Sequence, residues 1–93
     1  MKYVVNTVWN HPNEIDWDQM KESLEKLRSD EGAAEDVMWY EINPKTHGSV
    51  AIYSSEEKYI QYKEKLEAYR ANATNQIGAE IAHEFKGLLK SSI

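Results

Sequence analysis

Few residue types in this chain can do chemistry. It has three histidines, His11, His47 and His83, and no cysteine. Without thiols there are no disulfides and no thiolate metal ligands. No two histidines stand three or four residues apart, so a metal site would need carboxylates gathered from distant segments, and none is expected. His11 and His47 fall in predicted turns and are expected at the surface. His83 shares an alternating face with Ile81 and Phe85. It reads as a hydrogen-bonded core or interface histidine, and it is a candidate general base. Asn6 is polar in mid-strand, between Val4 and Val8. It is the second catalytic candidate, or it satisfies a backbone group or faces a partner subunit. The aromatic residues are the third signal, with three Trp and six Tyr against one Phe. Tyr59, Tyr62 and Tyr69 on one helical stripe, opposite Trp39 or Tyr40 and Tyr53, would line a pocket for a flat ligand. The same stripe also reads as a tyrosine-rich core with its hydroxyls at the rim. The ligand-binding candidates are thus Asn6, Tyr53, Tyr59, Tyr62 and His83. There is no Gly-rich phosphate loop, no nucleophile motif and no calcium loop, and no cofactor is expected.

The elements that must position these residues follow from periodicity. Residues 2–9 alternate as a strand, with Tyr3, Val5, Thr7 and Trp9 on one face and Val4, Asn6 and Val8 on the other. Asn10-His11-Pro12-Asn13 ends it. A helix follows, with Asp16 as N-cap, Gln19 three residues on, and Trp17, Met20, Leu24 and Leu27 as one apolar stripe. Gly32 is its expected stop. Val37 to Asn43 reads as a second strand, Asn43 to Gly48 as a turn, and Val50 to Tyr53 as a third strand, making an antiparallel hairpin. Ser54 and Glu57 form a second capping box. Tyr59, Tyr62, Leu66, Tyr69 and Ala73 carry the second helix to an exit at Asn72 to Asn75. Gln76 to Ile93 fits a helix or a strand. Gly78 and Gly87 weaken a helix by about 1 kcal/mol each, so strand is preferred. Ile81, His83, Phe85, Gly87 and Leu89 would share one of its faces.

Composition bounds the rest. The 93 residues read as a single α+β domain, residues 1–93, with formal charge −5 from 11 basic and 16 acidic side chains. Scattered basic residues in an acidic chain (pI about 5.1) argue against nucleic acid and anionic membrane as partners. No stretch reads as a signal peptide or bilayer span, and a cytoplasmic setting is expected. A domain this small buries only about 60–65% of its unfolded surface. Oligomerisation is the stabilising device left open to it.

The first three strands are apolar on both faces. Val4 and Val8 oppose Tyr3, Val5 and Trp9, Val37 and Trp39 oppose Met38, Tyr40 and Ile42, and Val50 and Ile52 oppose Ala51 and Tyr53. One set covers the helices, and the other would be an exposed apolar patch on a monomer. A two-fold homodimer through that sheet face covers it with one self-complementary surface.

The β-α-β-β-α-β order, the Tyr-Ser-Ser-Glu-Glu run at residues 53–57 and the His-Glu-Phe-Lys-Gly stretch at 83–87 resemble the dimeric α+β-barrel superfamily. That group includes antibiotic-biosynthesis-monooxygenase-like, stress-responsive and haem-degrading domains. The resemblance implies a ferredoxin-like sheet with two helices on one face, sheets packed face to face in a dimer, and an aromatic ligand held between sheet and helices. The haem-degrading members pair a strand-one Asn with a Trp ending strand three and a His on the next helix. Here Tyr53 stands at the strand-three end and helix two has no His, so haem breakdown is not expected.

Two functions follow. The first is a non-catalytic homodimeric binding or regulatory module, acting by binding a protein or a regulatory ligand. The alternative is a cofactor-independent monooxygenase-like or isomerase-like enzyme acting on a small aromatic ligand. It would need a cavity on the order of several hundred Å³ with Asn6 or His83 on its wall.

Overall fold

The computed structural model describes residues 1–30 and 34–93. Its elements are β1 (Tyr3–Asn10), α1 (Trp17–Arg28), β2 (Asp36–Asn43), β3 (Thr46–Tyr53), α2 (Glu56–Ile77) and β4 (Glu80–Leu88). The sheet order is β2-β3-β1-β4, with every neighbouring pair antiparallel. This is the β-α-β-β-α-β α+β architecture expected from the sequence, with β1 and β3 at the centre.

Alternation along β1 sorts the two faces. Tyr3, Val5, Thr7 and Trp9 are buried beneath the helices, while Val4, Asn6 and Val8 are half-buried on the other side. The helix-facing core is built of tyrosines. Tyr3, Tyr53, Tyr59 and Tyr62 cluster with Val5, with ring centroids 5.3 Å apart for Tyr3–Tyr59 and Tyr53–Tyr59. Such pairs contribute about 0.5–1.5 kcal/mol each beyond their buried area. Their polar tips reach the rim: the Tyr62 hydroxyl donates to Asp30 Oδ2 at 2.9 Å. Glu84 and Lys86 of β4 face the same way, opposite Thr7 and Val5. Glu84 pairs with Arg70 of α2 at 2.7 Å, and Lys86 reaches the Tyr59 hydroxyl at 3.5 Å. Helix α2 is therefore held to the edge strand by charge and to the centre by rings.

The caps explain the helix starts. Asp16 Oδ1 accepts from the backbone N–H groups of Asp18 and Gln19. At α2 the cap lies one residue later than the expected Ser54. Ser55, in extended backbone, accepts from the Lys58 N–H at 3.1 Å.

Several boundaries differ from the sequence expectation. The β2–β3 turn needs only Pro44 and Lys45, because Asn43 Oδ1 accepts from the Lys45 N–H and closes it early. His47 and Gly48 are consequently strand residues. Gly48 lies opposite Tyr40, whose ring covers the space a side chain would need. Helix α2 does not leave at Asn72 to Asn75 but runs to Ile77, where Gly78 turns left-handed (φ 71°) and its N–H bonds to the Thr74 carbonyl. In β4 the register shifts opposite Val8 and Trp9, so Ile81 pairs with Trp9 and leaves the face of His83 and Phe85. Leu89 lies beyond the strand. The stop expected at Gly32 lies outside the described residues; α1 ends at Arg28 with Ser29 as its cap.

Gly78 carries the α2–β4 reversal, and a Cβ there would come within 3.0 Å of Pro12. Replacing Gly78 by Ala is expected to lower the urea-unfolding free energy by about 1–2 kcal/mol, and Gly78→Asn by less. Asp16→Ala, which removes two cap bonds, is expected to lose about 1 kcal/mol in the same assay.

Candidate functional site

Between the sheet and the helices lies a cavity of about 160 Å³. Its floor is the inner sheet face, including Trp9, Trp39, His47 and Ala51. Met20 and Leu27 of α1, and Tyr69 and Ala73 of α2, line its helix side. The volume matches a space that holds one benzene-sized ring. It falls below the roughly 300–1,000 Å³ of drug-sized pockets, so the cavity is smaller than the sequence reading anticipated.

The polar centre of this cavity is a pair of imidazoles that sequence spacing did not bring together. His11 Nε2 and His47 Nδ1 are 2.7 Å apart, a hydrogen bond in which either ring can be the donor. Backbone geometry makes the pair. The segment after β1 is tied across the hairpin turn by His11 N–H to the Lys45 carbonyl and Ile15 N–H to the Pro44 carbonyl, each at 2.8 Å. The Thr46 hydroxyl donates to Asn10 Oδ1 beside them. His47 itself pairs in register with Trp9 and is only 5% exposed, correcting the expectation of a surface side chain.

Aromatic rings enclose His47. Trp9 stacks on it at 6.0 Å and 8°, Trp39 lies tilted at 5.7 Å, and Trp17 presents an edge at 6.4 Å. The indole N–H groups of Trp9 and Trp17 are satisfied elsewhere, by Thr7 Oγ1 and Glu41 Oε1. Burial disfavours the imidazolium, and the neighbouring His11 opposes a second charge. The His47 pKa is pushed down to about 4, and that of His11 is lowered by burial. Burial also raises the hydroxyl pKa of Tyr53 and Tyr69 on the same wall. Burial thus favours the neutral forms of His11, His47, Tyr53 and Tyr69 on the cavity wall.

The residues expected at a site divide between the two faces. Tyr53 lines the cavity, as do Tyr69 and Trp39. Tyr59 and Tyr62 belong to the ring cluster beside it. Asn6 and His83 lie on the opposite face, opposite Val50 and Val8 respectively. Neither is on the cavity wall, because strand alternation sends both away from the helices. Asn6 Nδ2 donates to the Ser49 carbonyl at 3.1 Å. His83 stacks on Phe85 at 6.3 Å. Tyr40 points to that outer face too, leaving Trp39 as the β2 ring on the cavity. Among the described residues no three His, Asp or Glu side chains gather as a metal site. Among them, also, no helix is long and apolar enough to cross a membrane.

A four-stranded antiparallel sheet with two helices on one face and a small cavity between them defines a ferredoxin-like α+β domain. Solved structures share this fold. A dimeric ferredoxin-like protein from an uncultured marine organism superposes with TM-score 0.68 at 11% identity, covering 99% of this chain and 98% of that one. A structural-genomics protein, YJCS, gives 0.64 at 13% identity over 97% and 100% of the two chains. A Nitrosomonas europaea protein of unknown function gives 0.63 at 18% identity over 100% and 95%. No family model and no curated protein matches the sequence.

The neutral His47 has a measurable consequence. Between pH 6.5 and about 4 the unfolded chain binds a proton at this position that the folded chain does not. The stability contributed by neutral His47 is complete above pH 6.5 and is lost progressively as the pH falls toward 4. Melting temperature is expected to fall across that window, with a shallower slope in His47→Phe.

Proposed function

We propose that the protein is a homodimeric α+β-barrel module that binds a small aromatic molecule between its sheet and its helices. The observation that carries the ligand reading is the one-ring cavity walled by Trp9, Trp39 and Tyr53. Its floor is wide because Ser49 and Ala51 are small where β3 crosses the centre of the sheet.

The outer sheet face supports the assembly. Phe85 is 64% exposed, Met38 51% and Tyr40 46%, and register brings them together around Val50, Asn6 and Val8. No large side chain among the described residues is less than 2% exposed, a thin core for a chain without disulfides. A second copy on this face buries the patch with a self-complementary surface, and the marine protein of the same fold is described as dimeric. On this reading Asn6 and His83 meet the partner and not the ligand. The acidic, cysteine-free composition supports a cytoplasmic setting. The His11–His47 pair favours one further reading, a cofactor-independent enzyme using a neutral imidazole as its base.

Sedimentation is expected to give a dimer at micromolar concentration and a folded monomer for Phe85→Glu; a monomeric wild type would refute the assembly. Toluene, titrated by NMR, is expected to shift resonances of Trp9, Trp39 and Ala51. Ala51→Leu, which fills the floor, is expected to abolish those shifts while leaving the circular dichroism unchanged. Shifts confined to the outer face would refute the ligand site.

A further inference from the structure

We propose that the cavity selects an uncharged single-ring molecule bearing a hydroxyl group, a phenol in chemical class, with the hydroxyl on His47 and the ring in the apolar part of the cavity over Ala51. The inference rests on the ligand reading above and adds what that ligand must be.

Three observations point the same way. The first is size, since about 160 Å³ admits one ring and a small substituent. The second is charge. Among the described residues on the wall, Arg70 is the one permanently charged side chain, and it is held by Glu84 at 2.7 Å. A carboxylate entering here would shed its water and compete with Glu84 for the Arg70 guanidinium. The surrounding titratable groups do not supply another cation. His11 comes from the segment after β1, His47 and Tyr53 from β3, and Tyr69 from α2. Burial works against the charged form of each of these four.

The third is the imidazole pair. His47 Nδ1 is occupied by His11 Nε2. Among the described residues His47 Nε2 has no protein partner, and none of their side-chain polar atoms is both sealed from solvent space and unpaired. Nε2 is therefore not sealed, and His47 lines the cavity. If His47 donates to His11, Nε2 presents a lone pair; if His11 donates, Nε2 carries the proton. A hydroxyl answers both arrangements, because it donates and accepts. A methyl group answers neither and leaves Nε2 unpaired.

The test compares toluene, phenol and benzoate by NMR titration of the intact protein at neutral pH. Phenol is expected to bind about tenfold more tightly than toluene, the scale of one buried hydrogen bond, and benzoate more weakly than either. His47→Phe is expected to keep toluene binding and lose the preference for phenol. His47→Gln, which retains a polar tip, is expected to keep part of it and serves if the Phe variant does not fold. Para-nitrophenol adds a spectroscopic readout. Its bound absorption is expected to be that of the neutral phenol, with ionisation displaced to higher pH than in free solution. Equal affinity for phenol and toluene, tighter binding of benzoate, or a bound phenolate spectrum would overturn the inference while the cavity reading stands. No binding by any of the three rings would overturn both.

Discussion

Because β1 is hydrogen-bonded to β3 on one side and to β4 on the other, its side chains can point only toward the helices or away from them. Both directions are apolar. Tyr3, Val5 and Trp9 turn inward, and Val4 and Val8 turn outward. A one-residue slip would exchange the two sets and carry Asn6 into the core. The inward row organises the tyrosine cluster and the cavity. The outward row organises the patch shared with Met38, Val50 and Phe85. The cavity and the outer patch are therefore two sides of one constraint, and no residue of β1 serves both.

The cavity exists because this inner face is unevenly filled. At one end four tyrosines pack closely enough for their rings to touch. At the other, Trp9 and Trp39 lie against His47 while Ser49 and Ala51 leave the floor low. Hydrogen bonds help to fix the uneven end. The Trp9 indole is held by Thr7, the Trp17 indole by Glu41, and the His11 backbone by Lys45. Hydrogen-bonded polar groups of this kind restrict a site to few arrangements. That is how a loop residue and a strand residue, 36 positions apart, come to share a hydrogen bond.

Electrostatics divide the molecule in the same way. Lys2–Glu35 sits in solvent, and the one charged side chain on the cavity wall among the described residues, Arg70, is paired with Glu84 and ties α2 to β4. The rest of the wall relies on neutral donors and acceptors, whose strength grows as water is excluded. A neutral imidazole pair suits such an interior, since it can reverse the direction of its hydrogen bond without creating a charge.

Much of the architecture was legible in the residues themselves. Period-two alternation located β1 to β3, the Asp16 cap and the Tyr stripe located the helices, and Gly78 with Gly87 tipped the last segment to strand. The two apolar faces were also readable, because side-chain direction in a strand is a local property. Hairpin closure was less legible. His47 and Gly48 read as turn residues, although Pro44 and Lys45 sufficed, and the alternation of His47 with Ser49 and Ala51 was the signal that placed them in the strand. Which face met the helices, and therefore that Asn6 and His83 point away from the cavity, was decided only in three dimensions. So was the meeting of His11 with His47. It depends on how the segment after β1 crosses the β2–β3 turn, and that crossing is set largely by backbone hydrogen bonds, whose donors could be any residue but proline.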